Sequence, residues 1–428
     1  MDIKVKTSVS IRGDDVLINH RPVYAEIDEG NPAARGLLFN ARFIQGIFDD
    51  AAAPDRFARF GFPEWDPDAH TDRLIEALPE WHSYGLRAFT VGLQGGGPCF
   101  TMDNRTIDNN PFGDDGKALD AAYAARLDRL IRGADEAGTV AIVSFFYGDQ
   151  AVRLRDDRAV REAVITASRF LREGGYTNVF IEIANEQNIE AFRVHHPVLH
   201  EPEGVVELMD LARRESGGMA VGCSCGGGHV DPKIAGASDI VLVHGNGQTR
   251  QQLYNLVRRA REYAREKPII CNEDSQAIGR LPVALFTHSS WGYYNNMTKQ
   301  EPPTRWEVLP GEDRFFALRM AETVGIRKEK PAFEDQYHLQ GAEEHMTYHG
   351  KRWIRLAALY PESVDHVDFH RNGRLSWTAW DEPFSVHFES TWLQGAVTVD
   401  PAGEEWTARV VLRDGRVVEK SARTPAQR

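Results

Sequence analysis

Short apolar stretches alternate with longer amphipathic stretches from about residue 36 to residue 325. The short stretches are rich in branched and aromatic side chains, which is typical of buried parallel strands. Eight strands are predicted, at 37–47, 86–93, 139–147, 178–185, 219–223, 239–244, 268–272 and 289–294. Between them, apolar residues recur at helical spacing. This spacing predicts helices at 69–84, 117–137, 157–173, 203–216, 250–265, 278–287 and 312–325.

Eight strand-and-helix units in about 290 residues match the length of a (β/α)8 TIM barrel. The interval 224–238 is short for a crossover helix and is predicted to be irregular. A doubly wound open sheet is the alternative, but the glycine-rich fingerprint expected after its first strand is missing. The predicted fold class is therefore α/β, with a (β/α)8 barrel.

The periodicity changes past residue 335, where short alternating segments are separated by turn signals such as Asn372-Gly373 and Asp414-Gly415. This pattern predicts a C-terminal antiparallel β-sandwich domain over 336–428. Residues 3–24 also alternate and predict a hairpin, so 1–335 is expected to be a barrel with an N-terminal β-hairpin within 1–30. The sandwich either packs against the barrel or binds sugar separately.

The composition of the chain limits which kinds of partner it is expected to bind. The 428 residues are 42% hydrophobic and 26% charged, as in ordinary globular proteins, and the formal net charge is −13. An acidic chain is not expected to bind nucleic acid or an anionic membrane surface. Because no run of 18 apolar residues occurs, no membrane-spanning segment is expected either. The oligomeric state stays open.

The sequence also offers few signals for targeting or for metal binding. The start, MDIKVKTSVS, has no apolar core, so we expect no signal peptide in this chain. The protein is then either cytoplasmic or secreted after removal of a signal. Four cysteines do not form a disulfide framework in a chain of this length, and Cys223 and Cys225 are interpreted as buried thiols. No histidine pair has metal spacing, so neither a metal nor another cofactor is expected.

Two predicted strands end in a glutamate. The strand in NVFIEIANEQN is followed by Asn185 and Glu186, and the strand in PIICNEDSQ ends at Glu273. The carboxyl ends of barrel strands share one face, where reacting groups lie. Cleavage of a glycosidic bond needs two carboxyl groups, held about 5–5.5 Å apart in retaining enzymes. Taken alone, Glu186 is equally well explained as a solvated first residue of a loop.

With these residues the chain resembles the clan A glycoside hydrolases, family 5-like (β/α)8 retaining enzymes with an accessory β-sandwich. In that clan an Asn-Glu pair ends the fourth strand, and a second glutamate ends the seventh. Asn185-Glu186 and Glu273 stand at those counted strands. The resemblance implies that Glu186 is the acid/base, that Glu273 is the nucleophile and that Asn185 binds the sugar 2-hydroxyl. It covers residues 36–325.

The resemblance implies further site residues. His244 matches a histidine or tyrosine that follows the sixth strand and faces the nucleophile, although a packed core histidine is the alternative. Trp291 matches the aromatic residue that forms the floor of the sugar subsite in that clan, although it could also belong to the barrel core. The clan's arginine on the second strand is missing, since Thr90 stands in the best register. Arg42, on the first strand, is the candidate replacement for that charge.

Other residues are candidates for contacts with the sugar. Tyr147 and Trp306 are candidates for stacking on it, and packing explains them equally well. The expected substrate is a carbohydrate, either an oligo- or polysaccharide or a glycoside. The predicted function is retaining hydrolysis of β-linked glycans. The alternatives are a barrel that binds glycan without cleaving it and a barrel enzyme of unrelated chemistry that uses Glu186 as a simple base. Sugar identity, linkage and endo or exo action stay open.

Overall fold

The computed structural model describes residues 6–57, 65–98, 100–300, 304–343, 347–392 and 394–424. The N-terminal part of the predicted hairpin, residues 3–5, lies outside the described residues. The rest forms an antiparallel sheet of three strands: β1 (Val9–Arg12), β2 (Asp15–Ile18) and β3 (Arg21–Pro22). The N–H of Val9 donates to the carbonyl of Thr177 over 2.8 Å. This bond connects the N-terminal sheet to the residues just before a strand of the main parallel sheet.

Parallel strands follow, each close to a predicted strand. They are β4 (Asn40–Arg42), β5 (Ala88–Gly92), β6 (Val140–Phe146), β7 (Val179–Ala184), β8 (Val221–Gly222), β9 (Val241–His244), β10 (Ile269–Glu273) and β11 (Gly292–Tyr293). Six of them form one parallel sheet in the order β11-β4-β5-β6-β7-β8, and β9 pairs with β10 in a second parallel sheet. The prediction of a mixed α/β fold with a parallel sheet is confirmed.

Hydrogen bonds link the two parallel sheets at both of their edges. The N–H of Ser290 donates to the carbonyl of Ile269 over 2.9 Å, just before β11. On the other side, the N–H of Asp239 donates to the carbonyl of Val221 over 2.8 Å. The two sheets therefore lie side by side at each edge. Closure of all eight strands into a barrel remains a prediction.

Some strands are shorter than the apolar pattern predicts. The stretch predicted as 37–47 is a strand only over β4, because the chain turns directly after it. The N–H of Gly46 donates to the carbonyl of Phe43, and the N–H of Phe48 donates to that of Gln45. These apolar side chains are buried inside turns, so burial alone made them look like a strand.

Each of the seven predicted helices has a counterpart near its predicted position, and short helices that were not predicted lie between them, one of them in the interval 224–238 that was predicted to be irregular. They are α1 (Pro67–Ser83), α2 (Ala121–Ala137), α3 (Gly148–Ala151), α4 (Asp157–Glu173), α5 (Glu190–His195), α6 (Pro197–His200), α7 (Pro202–Glu215), α8 (Pro232–Ala237), α9 (Arg250–Tyr263), α10 (Leu281–Thr287), α11 (Asn296–Lys299) and α12 (Glu312–Val324). Short 3₁₀ helices cover Pro32–Ala34, Pro54–Phe57, Asn104–Thr106, Ile278–Arg280, Phe333–Gln336 and Pro361–Ser363.

Local sequence explains where the long helices begin and end. The Asp66 carboxylate accepts the N–H of Ala69 at the start of α1, and Asp120 caps α2 in the same way. Gly138 ends α2 with φ 76°, a conformation that glycine adopts without strain. On α1, Leu74, Leu78 and Trp81 are fully buried on the face toward the sheet. Among the described residues, no helix is long and apolar enough to cross a bilayer.

Antiparallel strands make up the C-terminal part. They are β12 (Tyr337–Gln340), β13 (Lys351–Arg352), β14 (Arg355–Ala358), β15 (Val364–Arg371), β16 (Arg374–Ala379), β17 (Phe384–Ser385), β18 (Val397–Thr398), β19 (Glu404–Leu412) and β20 (Val417–Thr424). They form sheets in the orders β12-β14-β17, β13-β18 and β16-β15-β19-β20. Alternate residues of β19 are buried, as expected for a strand with one covered face.

These strands enclose an apolar cluster separate from that of the parallel sheets, with Phe369, Trp406 and Val410 among its members. They contact the α/β part through a buried ion pair, in which Arg355 of β14 binds Glu312 of α12 over 2.6 Å. The predicted sandwich and its boundary at residue 336 remain predictions.

Candidate active site

The ends of β7 and β10 bring Glu186 and Glu273 together, with His244 at the end of β9 beside them. One carboxylate oxygen of each glutamate and one ring nitrogen of His244 lie within 4.8 Å of one another. The side chain of Glu186 is 23% exposed and that of Glu273 only 4%. Glu186 can thus be reached from solvent, whereas Glu273 lies deeper in the same site.

The backbone at Glu186 is strained. Its φ is 56°, in the left-handed region that few residues other than glycine occupy. Ser224, just past β8, stabilises this turn. Its hydroxyl accepts the N–H of Glu186 over 3.1 Å, and its carbonyl accepts the N–H of Gln187 over 3.0 Å. The turn directs the Glu186 carboxylate toward His244.

Three side chains surround the Glu273 carboxylate. The Nε of Arg42 lies 2.8 Å from Oε2, and the amide nitrogen of Asn246 donates to Oε1 over 2.7 Å. Nδ1 of His244 lies 3.7 Å from Oε2. Arg42 belongs to β4, the first of the parallel strands, where the sequence offered it as the replacement for a second-strand arginine. Its register neighbour on β5 is Thr90.

Arg42 also orients Asn185. Its Nη2 donates to Oδ1 of Asn185 over 2.9 Å, so one guanidinium connects Glu273 to the residue before Glu186. The Asn185 N–H donates to the carbonyl of Phe146 over 2.9 Å, which continues the pairing of β7 with β6. The side-chain amide of Asn185 is therefore held beside both glutamates.

His244 is fully buried and lies between the two carboxylates. Its Nδ1 is 3.0 Å from Oε1 of Glu186. Burial opposes its charged form, but the charges of Glu273 and Glu186 outweigh burial and raise the pKa of His244 above its ordinary value. The two neighbouring carboxylates thus favour the protonated form of His244.

The two glutamates respond oppositely to this environment. Burial raises the pKa of Glu273, and the charges of Arg42 and His244 offset that effect only in part. Burial also favours neutral Glu186, but the hydrogen bond and charge of His244 outweigh it and lower the pKa of Glu186. The contact between Glu186 and His244 thus favours the ionised form of Glu186 and the protonated form of His244.

The tyrosines near Arg42 line the same region. The Arg42 guanidinium carbon lies 5.6 Å from the ring centroid of Tyr294, directly after β11. Tyr147, at the end of β6, is half-buried, and its N–H donates to Oε1 of Gln94. The phenols of both tyrosines act electrostatically on Arg42. Of the aromatic candidates, the structure thus brings Tyr147 toward the carboxylates.

Two predicted aromatic residues lie elsewhere. Trp291 is fully buried, with its ring against Tyr293 and Phe316 and its indole N–H bonded to Asp274 over 2.7 Å. Trp306 is 1% exposed and packs on Phe43. In this structure both rings pack against other buried side chains. A role for either tryptophan in stacking on a sugar stays a prediction.

Three residues of the site were not among the predicted ones. Asn246 follows the end of β9 by two positions and carries the same signal that identified Glu186, a polar side chain after a buried strand. Ser224 lies just past β8, between two cysteines, and no sequence pattern there marks it as a site residue. Arg280 forms a buried ion pair with Asp274, the residue after Glu273, and this pair depends on chain folding far beyond local sequence.

The donor set of Glu186, His244 and Glu273 is of a kind that divalent cations accept. The Arg42 guanidinium, however, already pairs with one oxygen of Glu273, which makes that oxygen less available to a metal ion. This arrangement fits proton transfer better than metal binding.

No family model and no curated protein matches the chain. Solved structures with partial likeness are a beta-glucuronidase 2 of Bacteroides uniformis, at 10% identity and TM-score 0.44, and a putative beta-galactosidase of Bacteroides fragilis, at 12% and 0.41. Each aligns with 98% of this chain, and with 48% and 57% of its own.

An exo-beta-1,4-mannosidase of an Opitutaceae bacterium is 16% identical, with TM-score 0.42, over 61% of this chain and 51% of its own. The chain spans about half the length of the structures that it resembles. At such TM-scores these likenesses carry no conclusion about this protein.

Proposed function

We propose that this chain is a retaining β-glycosidase on a closed (β/α)8 barrel, with Glu273 as nucleophile and Glu186 as acid/base. One observation carries the proposal: carboxylate oxygens of the two glutamates lie within 4.8 Å of each other at two strand ends. Inverting glycosidases need room for a water and hold their carboxyl groups about 6.5–9.5 Å apart. The short separation favours direct attack by a carboxylate.

In the first step, an oxygen of Glu273 attacks the anomeric carbon and the glycosidic bond breaks. The leaving oxygen takes a proton from Glu186, and a glycosyl ester of Glu273 remains. The nearby Arg42 charge favours the ionised, attacking form of Glu273. The Asn246 amide, bonded to the other oxygen, fixes the carboxylate plane.

In the second step, Glu186 is ionised and accepts a proton from a water molecule. The resulting hydroxide attacks the anomeric carbon, and the bond to Glu273 breaks with net retention. Asn185, whose Oδ1 is held by Arg42, has its amide N–H groups available for the sugar 2-hydroxyl.

His244 supplies the proton that the first step consumes. A sugar bound over the site removes water from Glu186, and desolvation raises the pKa of a carboxyl group. The proton then moves from Nδ1 of His244 to Oε1 of Glu186 along their 3.0 Å contact. After the second step it returns the same way. The lowered pKa of Glu186 before binding is therefore compatible with its role as an acid.

The competing reading is a barrel that binds glycan without cleaving it. Its motivation was the missing second-strand arginine. The contact between Arg42 and Glu273 removes that motivation, because a guanidinium now supports the nucleophile from another strand.

A panel of aryl β-glycosides and oligosaccharides tests the proposal. Glu273→Ala should abolish turnover of every substrate, and added azide should restore it with inverted stereochemistry. Glu186→Ala should lose about 10²–10⁴-fold on poor leaving groups but retain the first step on acidic phenols. Glu190→Ala, which removes an exposed glutamate four residues away, is the matched control and should match the unmodified protein.

Single-turnover kinetics separate the two roles. The Glu186 variant should accumulate a glycosyl-enzyme with an activated aryl-glycoside, visible as a mass increase of one sugar. If no glycoside is turned over, or if both variants respond identically to leaving-group acidity, the assignment is wrong.

A further inference from the structure

The C-terminal β-rich part places a tryptophan close to the catalytic carboxylates. Trp392 lies between β17 and β18, and its ring stacks on that of Tyr294, with centroids 5.8 Å apart and planes 30° from parallel. The ring of Tyr294 in turn lies 5.6 Å from the guanidinium carbon of Arg42, and Arg42 pairs with Glu273. A series of side-chain contacts thus leads from the proposed nucleophile to Trp392.

Two further contacts hold this tryptophan in place. The ring of Phe100, in the loop after β5, packs on it with centroids 5.5 Å apart. Thr391, the residue before Trp392, accepts a hydrogen bond from Arg280 over 3.4 Å. Arg280 also forms the buried ion pair with Asp274, just past the end of β10. The segment that carries Trp392 is therefore attached to the strand end that carries the proposed nucleophile.

The indole of Trp392 remains accessible. Trp392 is only half-buried, unlike Trp291 and Trp306. At a centroid separation of 5.8 Å the two stacked rings are offset, so Tyr294 covers only part of the indole. An accessible aromatic surface near two catalytic carboxylates is suited to stacking on the apolar face of a sugar ring. No step of the proposed mechanism uses Trp392.

The contacts of Arg42 indicate which side of a substrate Trp392 faces. The 2-hydroxyl that Asn185 is proposed to bind belongs to the sugar that reacts, and Arg42 holds Asn185. Glu186 must instead face the leaving group. Its carboxylate lies near the loop after β8, where a β-carbon at Gly226 would be 3.8 Å from it. The Arg42 end of the site therefore receives the non-reducing side of the substrate.

We propose that Trp392 is a specificity-determining residue that stacks on the sugar preceding the one that reacts, on its non-reducing side. This inference rests on the proposed glycosidase function. The substrate class is then a β-linked glycan with at least two sugars on the non-reducing side of the cleaved bond. Because this stacking acts away from the reacting atoms, it lowers KM and leaves kcat nearly unchanged.

Paired 4-nitrophenyl substrates test the inference. One member of each pair is the β-glycoside of glucose, mannose, galactose or xylose, and the other is that of its β-1,3- or β-1,4-linked disaccharide. Release of 4-nitrophenol reports cleavage of the aryl bond alone. The unmodified enzyme should have the higher kcat/KM on the disaccharide substrate. Trp392→Ala should lose about three- to tenfold more kcat/KM on the disaccharide than on the monosaccharide substrate, mainly through a higher KM.

Two variants accompany this measurement. Trp392→Phe keeps an aromatic ring and should retain most of the preference for the disaccharide. Phe286→Ala removes an exposed aromatic ring on α10 and is the control, with kcat/KM unchanged on both substrates. If Trp392→Ala loses activity on both substrates, Trp392→Leu decides, since leucine packs against Tyr294 and Phe100 without a ring. Trp392→Leu should hydrolyse the monosaccharide substrate as the unmodified enzyme does and lose the preference.

The failure of this inference is distinct from that of the function. If the unmodified enzyme hydrolyses no glycoside, the proposed function itself fails. If it hydrolyses monosaccharide substrates without preferring the disaccharides, the inference is wrong while the function stands. The same holds if Trp392→Leu lowers kcat/KM equally on both substrates, because a merely structural role would have that effect.

Discussion

The guanidinium of Arg42 forms an ion pair with the Glu273 carboxylate, with Nε 2.8 Å from Oε2. Arg42 lies on β4, and Glu273 ends β10, which is separated from β4 by β11 in the order of hydrogen-bonded strands. Arg42 is 2% exposed, so its charge is little screened by solvent. The same side chain holds Asn185 and thus sets the geometry of both strand ends.

Replacing Arg42 should change the pH dependence of turnover. Its charge lowers the pKa of Glu273, so Arg42→Met should raise that pKa, and the acidic limb of kcat/KM should move up by about 1–3 pH units. Arg42→Lys keeps the charge and should shift the limb less. Arg87→Met is the control, because Arg87 is also buried but pairs with Glu26. An acidic limb that stays in place in Arg42→Met would contradict this role.

Removing the Asn246 amide should slow the attack by Glu273. Its 2.7 Å hydrogen bond holds Oε1 of Glu273, the proposed nucleophile, and a bond to a charged group contributes about 1.5–3 kcal/mol. Asn246→Ala should therefore lower kcat at least about tenfold, with a smaller change in KM. Asn246→Asp should be worse, since two carboxylates then face each other. Asn255→Ala, on the exposed face of α9, should be neutral in the same assay.

Ser224 should matter for both stability and catalysis. Ser224→Ala removes the acceptor for the N–H of Glu186 and should lower the free energy of unfolding by about 1 kcal/mol. Because the strained φ of Glu186 then relaxes more easily, hydrolysis of substrates with poor leaving groups should suffer most. Ser168→Ala is the matched control, a buried hydroxyl with no hydrogen-bond partner among the described residues. Equal losses in both variants would count against this explanation.

The buried pair of Asp274 and Arg280 should contribute strongly to stability. Arg280→Met leaves the Asp274 carboxylate buried and unpaired, which costs about 3–5 kcal/mol in comparable cases. Denaturant unfolding should show a lower midpoint with an unchanged slope. Arg193→Met breaks an exposed ion pair with Glu190 and should leave the midpoint where it is. If both variants unfold alike, the buried pair is not the stabilising contact.

The sequence was most informative where polar residues interrupt apolar strands. Asn185-Glu186 and Glu273 were identified because two predicted strands each end in a glutamate, at the strands where the resembled clan has its catalytic pair. Their meeting follows from the shared edge of parallel strands. Arg42 was recognised only as a candidate charge. Its contact with Glu273 joins residues that are distant in the chain, and no local pattern encodes it.

Aromatic residues were less predictable for a physical reason. Indole rings fill a core and stack on sugars with the same apolar surface, so sequence does not separate the two uses. Trp291 and Trp306 are buried among other side chains. The ring of Tyr294, three residues after Trp291, instead has its centroid 5.6 Å from the guanidinium carbon of Arg42. Which face of a strand points inward depends on register, and a two-residue strand such as β11 offers too short a pattern to fix it.

Hydrogen bonds hold the ends of β9 and β10 together. The N–H of Gly245 donates to the Glu273 carbonyl over 2.8 Å, and Arg280 donates to the Gly245 carbonyl over 2.6 Å. A β-carbon at Gly245 would lie 2.3 Å from the Asp274 carboxylate, so no larger residue fits there. His244 and Glu273 consequently move as one rigid unit. The Gly245 amide proton should exchange with solvent as slowly as those of the core strands, and heat should inactivate the site only when the whole sheet opens.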